Sequence, residues 1–524
     1  MLLRSRVAVA ATAAGLATVL FGSTASAVPA PGAPGVGDPY YPNDGNGGYD
    51  VSHYNIRITY NPATDLLTGT TTILARSTQE LSSLNLDLLL PIKSVRVNNF
   101  LSRSTANTGE VTVTPPRPIG ANQNLTIVVQ YEGKPSTVND AKGANYWKKT
   151  PDGALAVDEP HIAKWWYPSS DHPTDKATFD VSVVVPQGVE ALSNGTFAGT
   201  QQTLNGWIRW NWRTVSQQAT YLAFLAVGQY EIRSSSAPNG QPVISAYGDD
   251  LGANGPAARA SVERTPEVTE FLETQFGPYP FEAQGGVVST GIGFALETQT
   301  RPVYSTAFFP RGANTSVVAH EMAHQWFGDS VSVRNWRDIW LNEGFARYAE
   351  WLWAENQAEG TAAEIAQYYY DRRPAEDPFW QVVVGDPGAG NEFNIAVYDR
   401  GALAVHAFRN AVGDEAFFET LQTWQATKKN GNGKIEEFIA LAERISGKPL
   451  FALFQTWLFT PGKPAPEDLG NAAAHSAGVA GVAAPPKAIE KLDLTRDVLA
   501  RTGHAGHSHG HDHAGHSHGD GHGH

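Results

Sequence analysis

The 524-residue sequence contains no cysteine and only two methionines. Without cysteine there is no disulfide, no thiolate metal site, no iron–sulfur cluster and no cysteine nucleophile. Positive charge is scarce: 38 Lys and Arg face 52 Asp and Glu, for a net charge of −14. Such a chain repels phosphate backbones, so no nucleic-acid partner is expected. Long apolar runs are missing too. The one extended run, from Val7 to about Phe21, falls short of the ~20 residues that span a bilayer. It follows Arg4 and Arg6 and leads to Ala25-Ser26-Ala27, the three-part layout of a secretory signal. Cleavage is expected after Ala27, leaving a secreted, extracellular protein with no membrane anchor.

What the chain does have is aromatic bulk. With 14 Trp, 18 Tyr and 22 Phe, it can bury large cores in more than one domain. Residues 28–47 are rich in Pro and Gly and read as a linker. Residues 48–240 carry strand signals, among them "HYNIRITY", "LTIVVQY", "FDVSVVV" and "GWIRWNWR", separated by Asn, Gly and Pro turns. Residues 241–464 switch to helical spacing. The fold expected is therefore multidomain α+β, an antiparallel β domain followed by a mainly helical one. Residues 465–503 read as an Ala/Gly/Pro-rich linker holding one short amphipathic segment, "AIEKLDLTRDVLAR". Residues 504–524 hold nine of the 16 histidines in a low-complexity tail, expected to be disordered and able to bind labile zinc, nickel or copper.

The chemistry concentrates in "VVAHEMAHQWFG". On a helix, His320 and His324 share a face and can reach one metal ion. Asn314, Thr315 and Ser316 are the candidate caps for that helix. With eighteen residues between it and His324, Glu343 in "WLNEGFARYAEW" is a candidate carboxylate third ligand, with Asn342 as a candidate cap for a second helix. Two imidazoles and one carboxylate are a natural zinc set, leaving one position for an activated water. Glu321, beside the ligands, is the candidate general base. Glu350, seven residues beyond Glu343, is placed to orient a ligand histidine.

"HEMAHQWFGD" together with "WLNEGFA" resembles the aminopeptidase N-type zinc metallopeptidases, a gluzincin family that includes leukotriene hydrolases. The resemblance runs over roughly residues 48–464, through "KWWYPSSDHPTDKATFDVSVVVP", "FGPYPF", "VYDRGALAVHAFR" and "FQTWLFTPGKP". It implies an N-terminal β domain beside a thermolysin-like catalytic domain that binds one catalytic Zn²⁺. It implies peptide substrates with free N-termini. In "YDRG", Tyr398 takes the place of the oxyanion-stabilising tyrosine and Arg400 that of a lysine. In "FALET", Glu297 takes the place of the acid that holds the substrate's amino terminus, with Ala295 beside it in the substrate-binding stretch. Glu159 matches a second such group from the β domain. Phe294, Leu296 and Thr298 depart from the family's Gly, Met and Asn. No large C-terminal helical domain is expected, which implies a more open cleft. The leading expectation is a secreted zinc aminopeptidase. An open-cleft zinc endopeptidase and, in another class, an extracellular zinc-scavenging protein acting through its tail are the alternatives.

Overall fold

The computed structural model describes residues 28–470 and 484–500. The expected signal segment 1–27 and histidine tail 504–524 lie outside the described residues. Among the described residues, no helix is long and apolar enough to cross a membrane.

An eleven-stranded sheet organises the first domain. An interior strand, Tyr49–Asn61, buries Tyr49 and Val51, slips phase at a bulge between Val51 and His53, then buries Tyr54, Ile56, Ile58 and Tyr60. Period-two alternation thus turns one face toward the core on both sides of the bulge. Most neighbouring pairs are antiparallel, as expected. Tyr49–Asn61, however, runs parallel to Ala177–Val185, with Ile56 opposite Val181. The long excursion between these two strands makes that crossover possible, and alternation alone says nothing about strand direction. A four-stranded sheet (Glu190–Leu192, Leu225–Gly228, Ala154–Ala156, Trp147–Lys149) closes the domain. It leads into the loop that carries Glu159.

The catalytic half opens with a five-stranded mixed sheet in the order Tyr230–Ser236, Pro242–Gly248, Gln284–Ser289, Val303–Ser305, Ala295–Leu296. A boundary at 240 therefore cuts a hairpin that belongs to this half. The change of domain falls near Gly228, where the four-stranded sheet ends. Both sides of that point carry similar strand signals, and only the pairing partner separates them. Three helices then build the site: Thr315–His324, Trp340–Asn356 and Ile395–Val412. Asn314 caps the first, its side chain accepting from Ser316 N at 3.1 Å. Asn394 caps the third in the same way at 3.0 Å. Asn342 is not a cap: a turn at Trp336–Asp338 starts the second helix early, so Asn342 sits inside its first turn.

Two stretches expected as linkers pack tightly. In 28–47, Asp38 accepts from Trp336 N at 2.8 Å and pairs with His172 at 3.3 Å. Asp44 pairs with His161 at 2.7 Å and Lys164 at 3.3 Å, and Tyr41 donates to Glu392 at 2.8 Å. Prolines and glycines give this strap its extended path, and buried acids tie it to both domains. In 465–503, Ile489–Leu499 forms a helix docked on the catalytic half: Thr495 Oγ1 accepts from Asn314 at 3.0 Å, and Arg496 lies 3.5 Å from Asp399.

Candidate active site

The first two helices lie side by side and bring His320, His324 and Glu343 together. Glu343 Oε2 is 3.3 Å from His320 Nε2 and 3.5 Å from His324 Nε2. The other ring nitrogens are engaged elsewhere. His320 Nδ1 donates to Glu350 Oε1 at 2.9 Å, and His324 Nδ1 donates to the Phe327 carbonyl at 3.0 Å. Both Nε2 atoms therefore face Glu343. Buried Glu343 Oε2 and Glu321 Oε1 have no hydrogen-bond partner. Buried carboxylate oxygens without donors, beside two aligned imidazoles, fit a zinc ion's donor set.

A buried charge network stands behind these groups. Arg347 donates to Glu350 at 2.8 Å, Asp399 at 3.0 Å, the Tyr369 hydroxyl at 2.9 Å and the Leu492 carbonyl at 3.0 Å. Arg347 thus supplies counter-charge to the acid that orients His320, and the docked C-terminal helix helps to hold it. Glu343 and Glu350 suggest this helix face in sequence, since Arg347 falls between them at spacings of four and three. Asp399, from the third helix, has no such local signal.

Burial pushes the Glu321 carboxyl up to about 8, against the lowering effect of His320 and His324. Burial also opposes ionisation of Glu343, yet His324 and His320 outweigh it and hold that carboxyl at about 2. Two acids on adjacent helices are thereby driven apart, one suited to carrying a proton and one to staying charged. Tyr398 is buried, its ring stacked 6.0 Å from that of His320. Burial, followed by Glu343, Glu159, Glu297 and Glu321, raises its phenol well above the ordinary range, so it stays protonated and can donate. Arg400 points away from this centre. It donates to the carbonyls of Trp380, Val382, Thr456, Trp457 and Thr460, anchoring the helix to the chain on both sides of it.

Glu297 follows directly after the edge strand Ala295–Leu296 and is 2 % exposed. Ligand atoms of Glu297, Glu321 and His324 lie within 4.8 Å of one another. Tyr221 donates to Glu297 Oε1 at 3.2 Å. Glu159 comes from the β-domain loop, and its Oε2 has no partner. Burial and then the charge of Glu297 push the Glu159 carboxyl well up. Thr298, in place of the family's asparagine, donates to the Arg301 carbonyl at 2.7 Å and closes the turn after Glu297. Ala295 pairs with Tyr304 in the edge ladder. Sequence reasoning did not find Tyr221, Arg347, Asp399 or Gln325.

Comparison with known proteins identifies the family. The profile of the Peptidase M1 N-terminal domain matches residues 51–222, and that of the Peptidase family M1 domain matches residues 301–457. A solved two-domain M1 zinc metallopeptidase, a Glu-to-Ala variant bound to L-arginine, is 30% identical. Its TM-score is 0.74, and the match covers 82% of this chain and 99% of that one. A Glu-to-Ala variant from Deinococcus radiodurans bound to a Tyr-Ser-Ala substrate matches with a TM-score of 0.73 at 30% identity, covering 82% and 98%. The chain belongs to peptidase family M1. Among curated relatives, "Aminopeptidase N" of Lactococcus lactis is 28% identical over 58% of this chain, and "Probable aminopeptidase 2" of Sulfurisphaera tokodaii is 26% identical over 58%. The matches span 38% and 40% of those two proteins.

Proposed function

We propose that this chain is a zinc-dependent aminopeptidase that removes first residues from peptides outside the cell. One observation carries the reading: an acid, Glu297, stands within 4.8 Å of both the general-base candidate Glu321 and the ligand His324. A carboxylate so close to the reacting centre suits a positive group one residue away from the scissile bond, as a free amino terminus is. The solved relatives bound to L-arginine and to Tyr-Ser-Ala support ligands of this kind.

His320, His324 and Glu343 would hold the metal, with Glu350 orienting His320. Zinc, when bound there, supplies an acidified water and polarises the scissile carbonyl. Glu321 accepts a proton from the attacking water and delivers it to the leaving amine. Tyr398 donates to the carbonyl oxygen as negative charge builds on it. Glu297 and Glu159 hold the substrate ammonium and set the register. The layout of residues 1–27 supports export, and the composition of residues 504–524 supports labile metal binding on the tail.

The test compares free and N-acetylated peptides of equal sequence. The aminopeptidase cleaves the free peptide and ignores the acetylated one. Glu297→Ala lowers kcat/KM for the free peptide about 100-fold, the scale of a lost charge-assisted contact, without lowering zinc content. Equal cleavage of both peptides by the unmodified enzyme would instead favour an endopeptidase.

A further inference from the structure

Gln325 immediately follows the ligand His324 and is fully buried. Its carboxamide faces the chain around Glu297. Nε2 donates to the Glu297 carbonyl at 2.9 Å, and Oε1 accepts from Thr300 N at 2.7 Å. One side chain thus satisfies both main-chain groups at the two ends of a tight turn. That turn needs holding: Thr300 adopts a left-handed φ of 69°, which a β-branched residue seldom takes. The β domain grips the turn from the other side. Asn194 donates to the Gln299 carbonyl at 2.8 Å, and Gly195 N donates to Thr300 Oγ1 at 2.8 Å. Of the groups on the turn, the Glu297 side chain alone belongs to the reacting centre, and Tyr221 aims it.

From this arrangement we infer that Gln325 is a positioning residue, fixing the distance between the amine anchor Glu297 and the metal ligand His324. It ties the last turn of the metal-binding helix to the backbone that presents the acid, so the anchor and the reacting centre cannot slide apart. The inference rests on the aminopeptidase reading and adds to it the element that sets the one-residue register. Thr298 and Phe294 differ from the family pattern around Glu297, and in this chain the turn is held by the amide of Gln325 and the hydroxyl of Thr298.

The test uses the full chain loaded with zinc. Gln325→Met keeps the size of the side chain and removes both hydrogen bonds to the turn, together with the longer one from the Tyr279 hydroxyl at 3.4 Å. Its expected effect is a KM for a free-amino tripeptide raised at least tenfold, with a smaller fall in kcat. The preference for free over N-acetylated peptide falls at least tenfold, and the Kd of L-arginine rises in parallel. Zinc content stays at the wild-type level. Gln325→Asn keeps the amide but retracts it by one methylene, and shows the same pattern at lower amplitude. It carries the test should the Met variant not fold. Unchanged peptide preference and unchanged L-arginine affinity in a zinc-loaded variant would overturn the inference. Loss of zinc would overturn it as well, because Gln325 would then serve His324 alone. Failure of the wild-type enzyme to prefer free peptides would instead sink the aminopeptidase reading itself, before any variant is made.

Discussion

The metal half and the anchor half of the site are built differently. His320, Glu321, His324 and Glu343 come from two helices adjacent in the chain, and helical spacing alone puts both histidines on one face. The anchor half draws Glu159 from a loop of the β domain, Tyr221 from the end of that domain, Glu297 from just after an edge strand and Gln325 from the C-cap of the metal helix. A locally coded constellation survives changes around it. An assembled one depends on how two domains dock, and it is around Glu297 in this second half that Phe294, Leu296 and Thr298 stand.

The sharpest way to separate the halves is Glu321→Gln, which keeps the shape and removes the base. Turnover should fall about 1,000-fold or more, while zinc content and L-arginine affinity stay near wild type. Weakening of L-arginine binding by more than tenfold would show that the halves are not separable. Tyr398→Phe should lower kcat by roughly 100-fold with little change in KM, measured on the free peptide, because its hydrogen bond strengthens only as charge develops. A change confined to KM would move Tyr398 from the metal half to the anchor half. Glu350→Gln acts one step behind the ligands: zinc affinity, titrated with a chelator, should drop about 10- to 100-fold. Unaltered affinity would mean that Arg347 and Asp399 hold the helices without help from the His320 contact.

The smallest effect lies outside both halves. Asp175, buried beside Lys176, accepts from Val51 N at 3.0 Å, and burial pushes its carboxyl up to about 7. A folded-state value above the unfolded one means that the folded protein keeps a proton the unfolded chain has lost. The stabilisation is full below the ordinary aspartate range and is lost as pH rises through about 7. Asp175→Asn cannot titrate, so its Tm should fall less between pH 5 and pH 8 than the wild type's, by ~2–4 °C. Identical slopes would remove Asp175 as the source of the dependence.

The reading of the sequence reached furthest where structure is local. The β-to-helix change of pattern, a cap among Asn314, Thr315 and Ser316, and the shared face of His320 and His324 follow from periods of two and 3.6 residues and from capping chemistry; that Asn314 is the cap is shown by its contact with Ser316 N. Glu350 was legible for the same reason, as the next turn of the Glu343 helix. The parallel pairing of Tyr49–Asn61 with Ala177–Val185 was not, because strand direction is decided by a partner far along the chain. Nor was the packing of 28–47, whose composition reads as loop while Asp38 and Asp44 find buried partners in distant segments. Arg400 occupies a family position, yet five carbonyls, two from Trp380 and Val382 and three from the 456–460 stretch, claim its guanidinium. By itself the sequence determined which residues can hold a metal, because one helical repeat brings them together. The tertiary structure alone decided how Glu297 is presented to that metal centre, because Tyr221, Gln325 and the turn at Thr300 meet only when the two domains close on each other.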